Sequence, residues 1–123
     1  MSGGERARQL GRWGEELVAR AMQAKGWRIL EYNWRCRQGE IDLIAADGRY
    51  LVFVEVKQRK SGRYGPPGEA VTAAKRDRLR AAAQQYLLEN PTRLQPRFDV
   101  AQVYAPQGMD TLHPRIEYLE NAF

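Results

Sequence analysis

Apolar and polar positions along the chain fall into stretches of helical and of strand period. From Glu5 to Lys25, residues Leu10, Gly14, Leu17, Val18 and Ala21 recur at the spacing of one helix face, as a 3.6-residue turn requires. Gly26 follows, a residue suited to the left-handed position that ends a helix. Trp27 to Asn33 carries Trp27, Ile29, Leu30 and Tyr32 and predicts a strand. Glu40 to Ala46 alternates with period two, and Tyr50 to Lys57 is dense in valine, leucine, phenylalanine and tyrosine. These predict a second and a third strand, joined by Asp47-Gly48, a strong hairpin signal. A basic loop rich in glycine and proline, Gln58 to Gly68, comes next. Val71, Lys75, Leu79, Ala82, Ala83 and Tyr86 then return to helical spacing, which predicts a helix from about Ala70 to Glu89, stopped by Asn90-Pro91. Arg97 to Tyr104 predicts a fourth strand and Arg115 to Leu119 a short fifth. The order α-β-β-β-α-β, with a final strand, predicts an α/β fold in which a mixed sheet is flanked by helices. One domain is expected over residues 1–123, with residues 1–5 as a disordered N-terminus.

Composition narrows the class. Hydrophobic residues make up 43% of the 123-residue chain, a globular proportion, and the length allows a core without disulfides. Lys plus Arg number 20 against 15 Asp plus Glu, a net charge of +5, which favours a polyanionic partner. The single cysteine, Cys36, excludes an intramolecular disulfide and reads as a half-buried small hydrophobe. With one cysteine and one histidine, His113, a Cys/His zinc site lacks ligands. There is no signal-peptide pattern and no apolar run of membrane-spanning length, so the expectation is a cytoplasmic protein with no membrane partner.

The chemistry concentrates where charge interrupts apolar strands. In Tyr50–Lys57, Leu51, Phe53, Glu55 and Lys57 share one face, and Val52, Val54 and Val56 the other. In the preceding strand Glu40, Asp42 and Ile44 share a face, with Ile41, Leu43 and Ala45 opposed. The hairpin makes these strands antiparallel, so Asp42 falls beside Glu55 or diagonal to it. Two converging carboxylates in a partly dry place repel, and a divalent cation resolves that cost. Oxygen ligands with open water positions suit Mg²⁺. With Lys57 adjacent, these are the parts for phosphodiester hydrolysis. A cross-strand salt bridge of Lys57 with Glu55 or Asp42, purely structural, fits the same spacing.

Asp42 followed by Glu55-Val56-Lys57 on the next strand resembles the PD-(D/E)XK nuclease motif, and the element order resembles the restriction-endonuclease-like core of archaeal Holliday-junction resolvases. Nearly the whole chain resembles the YraN family of uncharacterised bacterial proteins. The matching pieces are Gly14-Glu15, Asn33-Trp34-Arg35, Gly39 through Ile44, Val52 through Lys57, Lys75 and Arg97 through Val100. Ile41 stands where the superfamily name has proline. The resemblance implies that Asp42 and Glu55 are metal ligands, with the Val56 carbonyl a further one, and that Lys57 is the catalytic lysine. Glu15 matches an acidic position on the first helix of resolvase-like members, as catalytic residue and ligand. Its helical phase agrees, since Glu15 lies beside Gly14, Val18 and Met22.

Arg35, Arg37, Gln58, Arg59, Lys60, Arg63 and Lys75 surround the same stretches and are the expected phosphate contacts. No base-reading motif is visible, so recognition should follow nucleic-acid structure. Trp13, Trp27 and Trp34 read as core or half-core aromatics before stacking platforms. The expectation is a Mg²⁺- or Mn²⁺-dependent endonuclease acting on DNA before RNA, in particular branched or structured DNA. Paired cuts in a four-way junction would suit a homodimer. The alternative is a non-catalytic nucleic-acid-binding module that retains the nuclease fold. A third reading is an interaction protein whose acidic cluster is structural.

Overall fold

A computed structural model describes residues 2–60 and 71–123. Helix α1 (Gly3–Ala24) is followed by strands β1 (Arg28–Cys36), β2 (Gly39–Ala46) and β3 (Tyr50–Arg59). Helix α2 (Ala73–Glu89), strand β4 (Gln95–Tyr104), a single helical turn at Gly108–Asp110 and strand β5 (Arg115–Leu119) complete the order. The predicted α/β class and element order are those observed, and the short fifth strand is real. The sheet runs β1-β2-β3-β4-β5 in space, mixed because β3 and β4 are parallel while all other neighbours are antiparallel.

Two boundaries differ from the sequence reading. The first helix begins at Gly3, within the five residues expected to be disordered. The Ser2 hydroxyl caps it by accepting the Glu5 backbone N–H at 3.1 Å, satisfying one of the donors a helix start leaves free. The second helix begins at Ala73, capped by Thr72, whose hydroxyl accepts the Lys75 N–H at 3.2 Å. Gly26 closes α1 with φ +97°, the conformation its position predicts. In the β2–β3 turn the Asp47 carboxylate accepts the Arg49 and Tyr50 N–H groups at 2.8 and 2.7 Å, which fixes the hairpin register.

Each sheet face carries one helix. On the α2 side, Ile44, Leu51, Phe53 and Val100 pack with Leu79, Ala82, Ala83 and Tyr86. On the α1 side, Val18, Ala19 and Met22 pack with Leu43, Val52, Val54, Ala101 and Val103. The alternation read from β3 is therefore exact: Phe53 and Val54 meet different helices. Burial of each large apolar side chain contributes about 1.5–3 kcal/mol. Trp13, Trp27 and Trp34 are half-buried and pack against these clusters, as Cys36 does.

β2 departs from simple alternation. Its pairing with β1 runs Tyr32↔Leu43 and then Trp34↔Ile41, stepping over Asn33 and Asp42. Its pairing with β3 ends at Leu43↔Val54. Ile41 accordingly joins Ile44 in the α2-side cluster, not Leu43 on the α1 side. The sheet thus opens at one point, around Asp42.

Asp99 is a buried acid with no exposure at all. Arg97 donates to it through Nε and Nη2 at 3.0 and 2.8 Å, Tyr118 Oη at 2.6 Å and the Asn121 backbone N–H at 2.9 Å. This cluster ties β4 to β5 and to the turn beyond.

α1 crosses the sheet closely at Gly14. A Cβ there would lie 2.5 Å from Gln58 Nε2 and 2.9 Å from its Cδ, and the same Nε2 donates to the Leu10 carbonyl. Gly14→Ala is therefore expected to break that bond and to destabilise the domain by about 1–2 kcal/mol in urea unfolding. Gln58→Ala in the same chain should recover most of the steric part. Simple additivity of the two losses would disprove the contact.

Candidate functional site

The opening around Asp42 collects the charged residues singled out in the sequence. Glu55 and Lys57 project from β3 toward α2, and Glu55 is only 4% exposed. Its Oε1 lies 2.5 Å from Lys75 Nζ and 3.5 Å from Lys57 Nζ. Burial is the largest single influence on the Lys75 ammonium and would lower it, but the hydrogen bonds to Glu55 and Lys57 and the attraction of Glu55 and Asp42 together raise it. Lys57 is lowered, by burial and then by the neighbouring Lys75, against the pull of Glu55. A lysine held below its ordinary value beside a carboxylate is chemically competent to exchange a proton.

Asp42 sits at the break in β2. Its Oδ2 accepts the Val56 backbone N–H at 2.9 Å, filling a place in the β2–β3 ladder. Burial, with Glu55 next and Glu15 adding, pushes Asp42 from 3.8 up to about 8 against that hydrogen bond. Glu15, 9% exposed on α1, is raised too, chiefly by burial. It accepts from Asn33 Nδ2 at 2.9 Å and shares a hydrogen bond with Asp42. A hydrogen bond between two carboxyl groups needs a proton, and Asp42 is the group that holds it at neutral pH. Three elements, α1, β2 and β3, therefore bring three carboxyl groups into mutual electrostatic contact.

Asn33 was not singled out as a site residue. Its φ is +50°, a left-handed conformation inside a strand that asparagine tolerates better than most residues. That twist aims its amide at Glu15. Its one sequence sign was its place in Asn33-Trp34-Arg35, a piece of the family resemblance, and nothing in that piece pointed to Glu15.

Two clefts flank Asp42 and share Glu40 at their common edge. One, of about 180 Å³, is lined by Gly39, Glu55, Lys75, Arg78 and Leu79. The other, of about 320 Å³, is lined by Arg8, Gly11, Arg12, Glu15, Asn33 and Arg35. Arg8 and Arg12 are thus rim cations beyond those the sequence reading assigned to phosphate contact, and Arg78 of α2 joins them. Arg35 pairs with Glu40 at 3.6 Å, both well exposed, a contact worth little in water. Arg37 and Lys60 are exposed, and Arg59 is half-buried at the end of β3. Arg63 lies outside the described residues. Gln58 corrects an expectation. It is turned to the α1 side, and its amide is spent on the Leu10 carbonyl with Oε1 buried, so it anchors the helix and does not face a phosphate.

The donor set can be tested against a divalent cation. Among the described residues, no three Asp, Glu, His or Cys side chains form a ready-made cage. Mg²⁺ seldom uses one. It keeps several waters and takes one or two carboxylates with substrate phosphate. Asp42 and Glu55 on one cleft, with Glu15 behind Asp42 on the other, offer that set of oxygen donors. The residues fit the ion.

These features define a single α/β domain whose sheet opens at one end onto a buried cluster of acids and lysines between two basic-rimmed clefts. The model of the uncharacterised protein family UPF0102 matches residues 14–103. Similar chains include a UPF0102 protein of Symbiobacterium thermophilum, 49% identical over 95% of this chain and 98% of its own. Another, from Renibacterium salmoninarum, is 46% identical over 90% of this chain and 92% of its own. A third, from Frankia casuarinae, is 46% identical over 93% and 95%. The chain belongs to the UPF0102 family, the one to which the YraN resemblance pointed. Among the described residues, no helix is long and apolar enough to cross a membrane.

The raised Asp42 has a consequence for stability. An acid whose value in the fold exceeds its ordinary one favours the fold most at low pH, and that contribution fades as pH rises from about 4 through about 8. Asp42→Asn keeps an acceptor for Val56 and a donor for Glu15 without the charge. In EDTA, thermal melts from pH 5 to 9 should show the variant gaining steadily on the wild type. A melting difference that stays flat across this range would contradict the buried, proton-holding Asp42.

Proposed function

We propose that this chain is a divalent-metal-dependent endonuclease that hydrolyses phosphodiester bonds in DNA, with branched or otherwise structured DNA as its substrate class. The observation that carries the reading is the convergence of Glu15, Asp42 and Glu55 with Lys57 and Lys75 at the mouth of two open, basic-rimmed clefts. Purely structural ion pairs have no need for three mutually repelling acids, one of them kept protonated at neutral pH.

Asp42 and Glu55 would hold Mg²⁺ or Mn²⁺, with the Val56 carbonyl and Glu15 contributing beside them. Bound there, the ion would supply an activated water and neutralise charge on the phosphate. Lys57, from its place beside Glu55, orients the attacking water and donates to the phosphate oxygens as charge builds on them. Its lowered proton affinity makes it able to take a proton from that water. Asn33 fixes the Glu15 side chain, and the Val56 N–H fixes Asp42, so neither acid must be ordered during the reaction. Arg8, Arg12, Arg35 and Arg78 line the clefts where flanking phosphates would lie. Neither cleft is shaped by a helix set for a major groove, which agrees with recognition of DNA form over sequence. Paired incision would need two such sites, hence a homodimer.

The second reading is a nucleic-acid-binding module without turnover. The closed Glu55–Lys75 pair favours it, since it leaves Glu55 already neutralised. Cleavage of labelled four-way junction, flap and linear duplex DNA separates the two. In Mg²⁺ or Mn²⁺ the wild type should cut the branched substrates. EDTA should abolish cutting, and Glu55→Ala and Lys57→Ala should each lower the rate by about 10²-fold or more. Binding to the same DNAs without cutting in any metal would establish the second reading. Full activity in Lys57→Ala would remove the lysine from the mechanism.

A further inference from the structure

We propose that Lys75 is an exchangeable counter-ion: it occupies Glu55 in the metal-free protein and passes to a substrate phosphate once a divalent cation takes that carboxylate. The proposal rests on the metal-dependent reading above and adds a residue that links ion binding to DNA binding.

Glu55 Oε1 has two ammonium groups on it, Lys75 at 2.5 Å and Lys57 at 3.5 Å. One carboxylate needs one counter-charge. Lys57 is two residues away on the same strand and stays wherever Glu55 stays. Lys75 comes from α2 and is the shorter contact, so it is the one a competing cation must displace. Glu55 is too buried to replace the hydrogen bond of Lys75 with one from water, and Lys57, at 3.5 Å, is not placed to make one as short. Lys75 therefore leaves only when another cation arrives.

Its position in α2 points the same way. Lys75 lies in the first turn, three residues after the Thr72 cap, and that turn holds no acidic residue. A helix start carries the positive end of the dipole, so a cation there is misplaced unless it faces an anion. In the free protein that anion is Glu55. Lys75 is one-third exposed and lines the 180 Å³ cleft together with Asp42, Glu55 and Arg78. Swinging off Glu55 leaves it in the same cleft, beside Arg78 and close to the ion that replaced it. The two cations there, Lys75 and Arg78, form an anion site next to the cation site.

The full chain can be examined without cleavage. Mn²⁺ titration calorimetry on wild type, Lys75→Met and Lys57→Met, with no DNA present, should show Mn²⁺ binding about tenfold tighter to Lys75→Met than to wild type, because the competing charge is gone. The Lys57→Met gain should be smaller. In Ca²⁺, binding of junction DNA by Lys75→Met should be weaker than by wild type, with a log–log salt slope shallower by about one. In EDTA the two proteins should bind DNA alike. If Mn²⁺ binds wild type and Lys75→Met equally, or the salt slope in Ca²⁺ is unchanged, the exchange is overturned and the metal site survives. If Mn²⁺ binds none of the proteins, the metal-dependent reading falls and takes the exchange with it. Should Lys75→Met fail to fold, wild-type protein with ¹³C-labelled lysine gives the answer. The Lys75 ε-methylene resonance should move on Ca²⁺ saturation, and a resonance that stays fixed while Ca²⁺ binds elsewhere in the cluster overturns the proposal.

Discussion

The parallel pairing of β3 with β4 is the constraint on which the remaining architecture hangs. Antiparallel neighbours can be joined by a tight turn, as β2 and β3 are at Asp47. Parallel neighbours require the chain to cross from one end of the sheet to the other. The crossing here includes α2, packed on one face through Leu79, Ala82, Ala83 and Tyr86. Because the chain leaves β3 beyond Arg59 and re-enters at Gln95 beside Tyr50, α2 must start near the end of β3 where Glu55 and Lys57 stand. The meeting of Lys75 with Glu55 is a result of topology before it is a result of charge.

A second constraint is the interruption of β2. Asp42 and Asn33 drop out of the ladder at the same level, and each puts a polar side chain where a strand pair would otherwise be closed. Asp42 takes the Val56 N–H, so the backbone donor is not left bare, and Asn33 takes Glu15. The opening is thus stabilised by the groups that it exposes. In the middle of β4, level with Val54, Asp99 shows the contrast. This fully buried acid is surrounded by an arginine, a tyrosine and a backbone N–H that satisfy its charge.

Much of this was legible in the sequence, for specific reasons. Strand period and one Asp-Gly turn were enough to place Glu55 and Lys57 together on one face of β3, with Asp42 near them, because side chains on a strand can point only two ways. The helical phase of α1 put Glu15 at the edge of its apolar stripe for a similar reason. What period cannot carry is the exception to it. Asn33 at positive φ and Ile41 on the α2 side arise where the ladder lapses, and nothing in the spacing marks that position. Gln58 follows a lysine and reads as a phosphate contact, yet Gly14 on another element leaves the gap that receives it. The rim cations Arg8 and Arg12 were hidden because their relevance depends on how α1 lies across the sheet. The start of α1 at Gly3 rests on one serine cap in a polar stretch with no apolar period to reveal it.

The separation of β3 from its parallel partner also shapes how the domain is built. The β1–β2–β3 meander closes through short connections, whereas β4 is separated from the end of β3 by the 35 residues 60–94, so its pairing is a slower, non-local event. Until β4 arrives, β3 presents an open edge containing Leu51-Val52-Phe53-Val54, the composition that pairs with other chains and aggregates. The run is stopped immediately by Glu55 and Lys57. Charges at the end of such a segment act as gatekeepers against association, so the residues that make up the site also protect the nascent sheet. Replacing them with apolar residues to gain stability would strip the folding chain of that protection before it touched any chemistry.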